Sequence, residues 1–231
     1  MKTLRKILRW VVGLFFGSTI LVVVLYKFIP VPATPLMFIR SAEHLTTTES
    51  MAWSHTWVRL DDMSKYMPVA VIASEDQRFL QHHGFDFDAI EKAAARNKKG
   101  GKVYGASTIS QQTAKNVFLW PGNSILQRWI RKGFEAYFTV LIELIWGKER
   151  IMEVYLNSIE MGPNIYGVQA VAEEHFHCNA SELSRSQCAL IAATLPNPIK
   201  YSSRNPSNYM LKRQRAIGIQ MTYIPLFKSG K

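Results

Sequence analysis

From Trp10 to Tyr26 every residue is apolar or small, and after Lys27 the run resumes with Phe28 and Ile29. A helix of that length crosses a hydrocarbon core of ~30 Å at ~1.5 Å per residue, with Lys27 reaching back to the interface. Lys2, Arg5, Lys6 and Arg9 precede it without an acid. The pattern therefore predicts a basic cytoplasmic segment at 1–9 and a transmembrane helix at 10–29, with the bulk of the chain outside the cytoplasm. A cleaved signal peptide is the rival reading. Its apolar region would be only ~7–15 residues, and Pro30, Pro32 and Pro35 crowd the one weak cleavage site, near Ala33.

Beyond the span, the prolines and the polar stretch Thr46 to Ser50 give 30–54 the character of a linker, followed by a single domain at 55–231. Trp53 and Trp57 suit either a core or a bilayer interface. An apolar run, Pro68 to Ala73, leads into a stretch dense in acids and imidazoles. Phe85 to Arg96 then reads as a helix with Phe87, Ile90 and Ala94 on one stripe. The segment 97–102 breaks it with glycine and lysine, as a solvated loop or as a flap that meets phosphate. Thr108 and Gln111 have capping-box spacing at the start of another helix. The longest helix is predicted at Ile125 to Trp146, where Leu126, Trp129, Ile130, Phe134, Phe138, Leu141, Ile142 and Ile145 recur at helical spacing and mark a central core element. Further helices are expected over Lys148 to Ser158, from Tyr166 to Phe176, after Ser184 with Gln187 as its capping partner, and after Asn205-Pro206. The last is basic, with Lys212, Arg213 and Arg215 as structural residues or facing anionic lipid. No alternating strand pattern of useful length occurs, so the fold class is mainly α.

With 231 residues there is room for one ordinary domain plus an anchor, and the net charge of +11 seeks anions. Aromatic residues are spread through the helices and not interleaved with Lys and Arg, which argues against a nucleic-acid stacking platform. Cys178 and Cys188 lack metal-ligand spacing and read as buried thiols, a bridge between them being the alternative in an extracytoplasmic domain.

Candidate chemistry concentrates in Glu75 to Asp86, which holds three carboxylates and two imidazoles in twelve residues. Placed directly after a buried run, Glu75 and Asp76 are either presented at an opening, where a carboxylate can be tuned for proton transfer, or they simply end a helix. A helix start at Thr108 offers free amides and the positive end of a dipole to an anion. Two glutamines, Gln111 and Gln112, with Lys115 and Asn116, crowd its next turns. Arg131 and Glu135 stand one turn apart, as a salt-bridge pair would; Glu143 reads as a structural acid. His82 and His83 lack metal-ligand spacing, and an imidazole that fixes the Glu75 loop is the favoured role.

Glu75-Asp76-x-x-Phe79-x-x-His82-x-Gly84-x-Asp86 resembles the first signature of the peptidoglycan glycosyltransferases, lysozyme-like domains that polymerise cell-wall glycan from a lipid-linked precursor. Similar second and third signatures follow in order: Gly105, Ser107, Thr108, Gln111, Gln112, Lys115 and Asn116, then Arg131, Lys132 and Glu135 through Lys148, Ile151, Glu153, Tyr155, Leu156 and Asn157. The likeness runs from about Trp57 to the last helix and resembles the monofunctional members. Gln187 stands where the family usually has an acid, and Cys188 where it has an alanine.

The resemblance implies a two-lobed helical domain, with Glu75 as general base and Glu135 orienting the donor or holding a divalent ion, magnesium or manganese. No organic cofactor is expected. It casts Lys115, Arg131 and Lys148, and less strongly Lys132, as stabilisers of the leaving pyrophosphate. Asp76, Phe79, His82, Gly84, Ser107, Thr108, Gln111, Gln112, Asn116 and Asn157 would shape or contact the substrate site. The implied partners are lipid II, the lipid-linked glycan chain and the membrane, with cell-wall synthesis or division proteins also in view. The implied location is the cell inner membrane, with the catalytic domain periplasmic or otherwise extracytoplasmic. A muramidase or lytic transglycosylase on the same fold is the rival enzyme, and a tethered scaffold with a dead site the non-enzymatic one.

Overall fold

The computed structural model describes residues 2–45, 53–100, 105–122 and 124–227. The polar stretch Thr46 to Ser50 lies outside the described residues, as does the end of the segment read as loop or flap.

The first helix, α1, runs over Lys2–Phe28 and is, among the described residues, the one helix long and apolar enough to cross a membrane. Within the segment read as a linker, Pro35–Leu45 forms α2, which packs on the later helix α5 and buries Met37. Helix α3, Tyr66–Glu75, buries Met67 through Ala73, so its apolar run is enclosed on all sides. There follow α4 at Phe87–Lys98, α5 at Ile109–Phe118, α6 at Ile125–Ile145 and α7 at Lys148–Ser158. The chain closes with α8 at Val168–Phe176, α9 at Arg185–Thr194 and α10 at Asn208–Gln220.

These helices form two packed groups. In one, α3 lies against α9 and α10; in the other, α5 is wedged between α6 and α7. The mainly helical, lysozyme-like architecture anticipated above is what the chain forms. A small sheet was not anticipated. Strands β1 (Ser54–His55), β2 (Glu160–Gly162) and β3 (Ile165–Tyr166) pair in the order β1-β3-β2, with β1 parallel and β2 antiparallel to β3. Two or three residues per strand leave no room for an alternation to be seen.

Two apolar stripes lie partly or wholly outside the core, and the one on α6 had been read as core. Helix α4 buries none of its residues, and Phe87 is 74% exposed. Helix α6 buries Phe138 and Ile142 in its second half, whereas Leu126 and Trp129 in its first half are 69% and 74% exposed. Helical periodicity marks an apolar face but does not say what covers it.

Helix α1 is fastened to the domain along its second half. Phe15 and Phe16 pack on Phe134 and Tyr137, and Thr19 Oγ1 lies 2.8 Å from the Tyr137 hydroxyl. Trp146 Nε1 donates to the Val23 carbonyl at 2.6 Å. At the C-terminal end, carbonyls without helical partners meet a guanidinium: Arg150 Nη2 donates to Tyr26 O at 2.7 Å and to Ile29 O at 2.5 Å, and Nε to Tyr26 O at 3.0 Å. Its Nη1 pairs with Glu153, whose other oxygen accepts from Leu60 N at 3.0 Å. Arg150→Ala should therefore lower the stability of the full chain in detergent by about 2–3 kcal/mol, as expected for losing several charge-assisted bonds and leaving Glu153 unpaired. Denaturant unfolding would check this; a change under about 0.5 kcal/mol would mean that the helix end is held by its apolar contacts alone.

Candidate active site

Asp76 follows the last residue of α3, and its buried carboxylate turns into the protein. Oδ2 accepts from the backbone N–H of Ile109, the first residue of α5, at 3.0 Å, and His82 Nε2 lies 3.0 Å from both carboxylate oxygens. One side chain thus joins the end of one helix, the start of another and the loop between them. The loop is pinned again further on. Thr108 caps α5, accepting from Gln111 N at 3.2 Å and donating its hydroxyl to Gly84 O at 2.6 Å, while Gln111 Oε1 accepts from Thr108 N at 3.0 Å. Gly84 has φ +92°, and a Cβ there would stand 2.8 Å from Thr139 Cγ2, so the close approach of this loop to α6 requires glycine. Asp86 caps α4 through Ala89 N at 3.0 Å and pairs with Arg78 at 3.0 Å.

Glu75 is what this frame presents. It is half-buried, and each carboxylate oxygen has one donor: Oε1 accepts from Ser74 Oγ at 3.0 Å and Oε2 from Gln112 Nε2 at 3.2 Å. The Gln112 carbonyl accepts in turn from the Tyr155 hydroxyl at 3.2 Å. Burial first, then the charges of Glu75 and Asp76, push the Tyr155 phenol well above its ordinary range, so it stays a donor. In front of Glu75 opens a cleft of about 320 Å³ that includes Arg78, Asp88, Lys92 and the exposed Ser107.

A cationic group sits further along. Lys115 is largely buried, and desolvation lowers its pKa; Glu135 opposes that most strongly, Arg131 and Lys132 reinforce it, and Glu75 opposes it weakly. Lys115 therefore senses both glutamates. Together with Arg131 and Asn116 it lines a small cavity of about 150 Å³ under Leu36 of α2. Glu135 is 5% exposed, and its Oε1 pairs with Lys132 Nζ at 2.5 Å. The partner predicted for it was Arg131; three residues of helix bring Lys132 onto it and leave Arg131 beside Lys115. Lys132 also lines a groove of about 330 Å³ with Ile90, Ala94, Ser107 and Gln111, which is where the apolar stripe of α4 goes. Among the described residues, no three His, Cys, Asp or Glu side chains converge to hold a metal ion.

Several residues assigned to the substrate site also hold the frame. The Lys148 ammonium pairs with Glu143 at 2.6 Å, over the Phe79 ring at 4.6 Å from its centroid, and Ser110 donates to the same Glu143 oxygen at 2.5 Å. Asn157 is fully buried and spends its amide on Val58 N, Val58 O and Glu153 O, all within 2.9 Å. Phe79 belongs to the core, and Asp76, His82, Thr108 and Gln111 are buried in the network above. Ser74 was not singled out, and Tyr155 was named as a signature residue but given no role at the site. The i+4 placement of Tyr155 after Ile151, together with its place in the third signature, marked it as turned inward.

The sequence profile described as Transglycosylase matches residues 41–222. A biosynthetic peptidoglycan transglycosylase of Bacteroides thetaiotaomicron is 59% identical over 227 residues, 97% of this chain and 90% of that protein. Proteins of the same name from Bdellovibrio bacteriovorus and Caulobacter vibrioides are 52% and 48% identical, over 94% of this chain and 85% and 90% of their own lengths. With the signatures, the fold and these relatives in agreement over most of its length, the chain belongs to the transglycosylase family.

Proposed function

We propose that the chain elongates peptidoglycan glycan strands, transferring a lipid-pyrophosphate-linked growing chain to the 4-hydroxyl of the acceptor disaccharide of lipid II. The observation that carries this reading is a half-buried, doubly oriented carboxylate, Glu75, held by Gln112 of the helix that one turn further on carries the desolvated cation Lys115. Glu75 takes the proton from the acceptor hydroxyl as its oxygen attacks carbon 1 of the donor sugar. The bond from that carbon to the pyrophosphate oxygen breaks with inversion, giving a β-1,4 link, and undecaprenyl pyrophosphate leaves as an anion. Lys115 and Arg131 meet the charge that develops on it, where exclusion of water makes each donor count for more. A magnesium or manganese ion would find one protein carboxylate here, Glu135, and would complete its shell with substrate pyrophosphate oxygens and water, the manner in which magnesium is usually held. It would neutralise leaving-group charge, a task that Lys115 and Arg131 already serve.

The anchor fits a substrate whose tail stays in lipid. Mid-span residues of α1 rest on Phe134 and Tyr137, which supports immersion of the exposed apolar half of α6, with Ile125, Leu126 and Trp129, at membrane depth. The basic residues before α1 support an N-terminus in the cytoplasm and a catalytic domain at the outer face of the inner membrane. A muramidase on this fold would cut lipid-free glycan and would have no use for a buried lysine and an arginine beside the cleft.

Purified lipid-linked disaccharide precursor in detergent should be polymerised by the wild type, with Glu75→Gln slower by roughly 10²–10⁴-fold, the usual size of a general-base contribution. Release of fragments from preformed glycan, with no polymer, would replace this reading by the hydrolytic one. Lys115→Met should lower turnover roughly 10²-fold. It should at the same time raise stability at neutral pH. The folded-state pKa of Lys115 lies below its unfolded value, so its charged form opposes folding below the folded pKa, and this cost fades as pH rises toward the unfolded value. Unfolding at pH 7 and above pH 10 checks the sign: a variant less stable at pH 7 would contradict it.

A further inference from the structure

Glu75 has a second line of support, on the side away from Gln112. Helix α10 packs on α9 and α3, and from it Arg213 Nη2 donates to Ser74 Oγ at 3.3 Å. The same hydroxyl lies 3.0 Å from Glu75 Oε1 and 3.3 Å from the Ala192 carbonyl of α9. A serine hydroxyl has one proton and two lone pairs. Because Arg213 can only donate, it occupies a lone pair of Ser74 and leaves the serine proton to point at one of two acceptors, the glutamate or the Ala192 carbonyl. Arg213 Nε is also buried without a partner in the protein. An orphaned donor of that kind costs roughly 1–3 kcal/mol, so packing alone is a poor reason for the guanidinium to be there.

We propose that Arg213 is a positioning residue for the glycosyl-transfer step, acting through Ser74 on Glu75. While Glu75 is ionised, the Ser74 proton bonds its Oε1 and holds the carboxylate in line with the acceptor hydroxyl. Once Glu75 has taken that proton, the serine hydroxyl swings to Ala192 O, and the carboxyl loses one of the bonds that favoured its anion. Arg213 fixes the polarity of this arm throughout. Gln112 and Tyr155 form the opposite arm, so the base is held on both oxygens by groups anchored in different lobes, α9–α10 on one side and α5–α7 on the other. The sequence reading had left Arg213 as a structural or lipid-facing residue of a basic helix; its neighbour on the chain, Lys212, is exposed, whereas Arg213 is turned inward.

This inference rests on the reading of Glu75 as general base, and the test separates the two. Full-length wild type, Glu75→Gln, Ser74→Ala, Arg213→Met, Arg213→Lys and the Ser74→Ala/Arg213→Met pair are compared in the lipid-precursor polymerisation assay, with thermal unfolding of each. If Glu75→Gln keeps its turnover, the base reading fails, whatever the other variants do. If Glu75→Gln is inactive, Ser74→Ala and Arg213→Met should each lower kcat about tenfold with KM within about twofold, and the double variant should fall no further than the worse single one, as members of one chain do. Arg213→Lys, which still carries a donor, should recover most of the loss. Additive losses, a rise in KM without a fall in kcat, or an Arg213→Lys as poor as Arg213→Met would overturn the proposal. Should Arg213→Met fail to fold, Ser74→Ala and Arg213→Lys decide: unchanged kcat in Ser74→Ala refutes the relay.

Discussion

The interaction on which the site depends is the one between the Asp76 carboxylate and the N-terminus of α5. A buried charge is tolerated only if it is matched, and Asp76 is matched by a helix-terminal N–H from Ile109 and by the His82 ring, each at 3.0 Å. That match fixes where α3 ends relative to where α5 begins. Glu75 is one residue before Asp76 and Gln112 is three after Ile109, so the bond between the first pair sets the bond between the second. Lys115 is one further turn along the same helix. A single charge-to-amide contact therefore determines the spacing between the carboxylate of Glu75 and the ammonium of Lys115, the two groups to which the proposed function gives the proton and the leaving group.

Much of this was legible in the chain, for reasons that differ by residue. The Thr108–Gln111 capping box could be read because its chemistry is local: two side chains three residues apart satisfy each other's backbone. The lengths of α6 and α7 followed from helical spacing bounded by glycine and proline. What could not be read were facts about what lies across a gap. Trp129 and Phe138 share one periodic pattern, yet one is exposed and the other is core, because α1 and α5 cover only part of α6. The α4 stripe with Ile90 and Ala94 was legible as a stripe, but not that it borders a groove.

Roles were harder to read than places. Asn157 and Lys148 sit in a signature associated with substrate, and both turn out to be fastened to the protein itself, Asn157 to Val58 and Lys148 to Glu143. A signature records what the site requires, which includes the residues that hold others still. Lys132 had looked like the lesser candidate beside Arg131, but it is the one on Glu135. Divided in this way, the motif residues that are not taken up by the frame are Glu75 and its two donors, Lys115 with Arg131, and Glu135 with Lys132.

The division between frame and chemistry is tested most directly at Asp76. In Asp76→Asn, thermal unfolding and steady-state polymerisation would be measured on the same preparation. If Asp76 builds the site, stability should fall by about 2–3 kcal/mol, as for a buried charge-assisted network, and kcat should fall with it while KM for the lipid-linked precursor stays constant. Unchanged stability with a raised KM would show that Asp76 meets substrate, and would contradict the account.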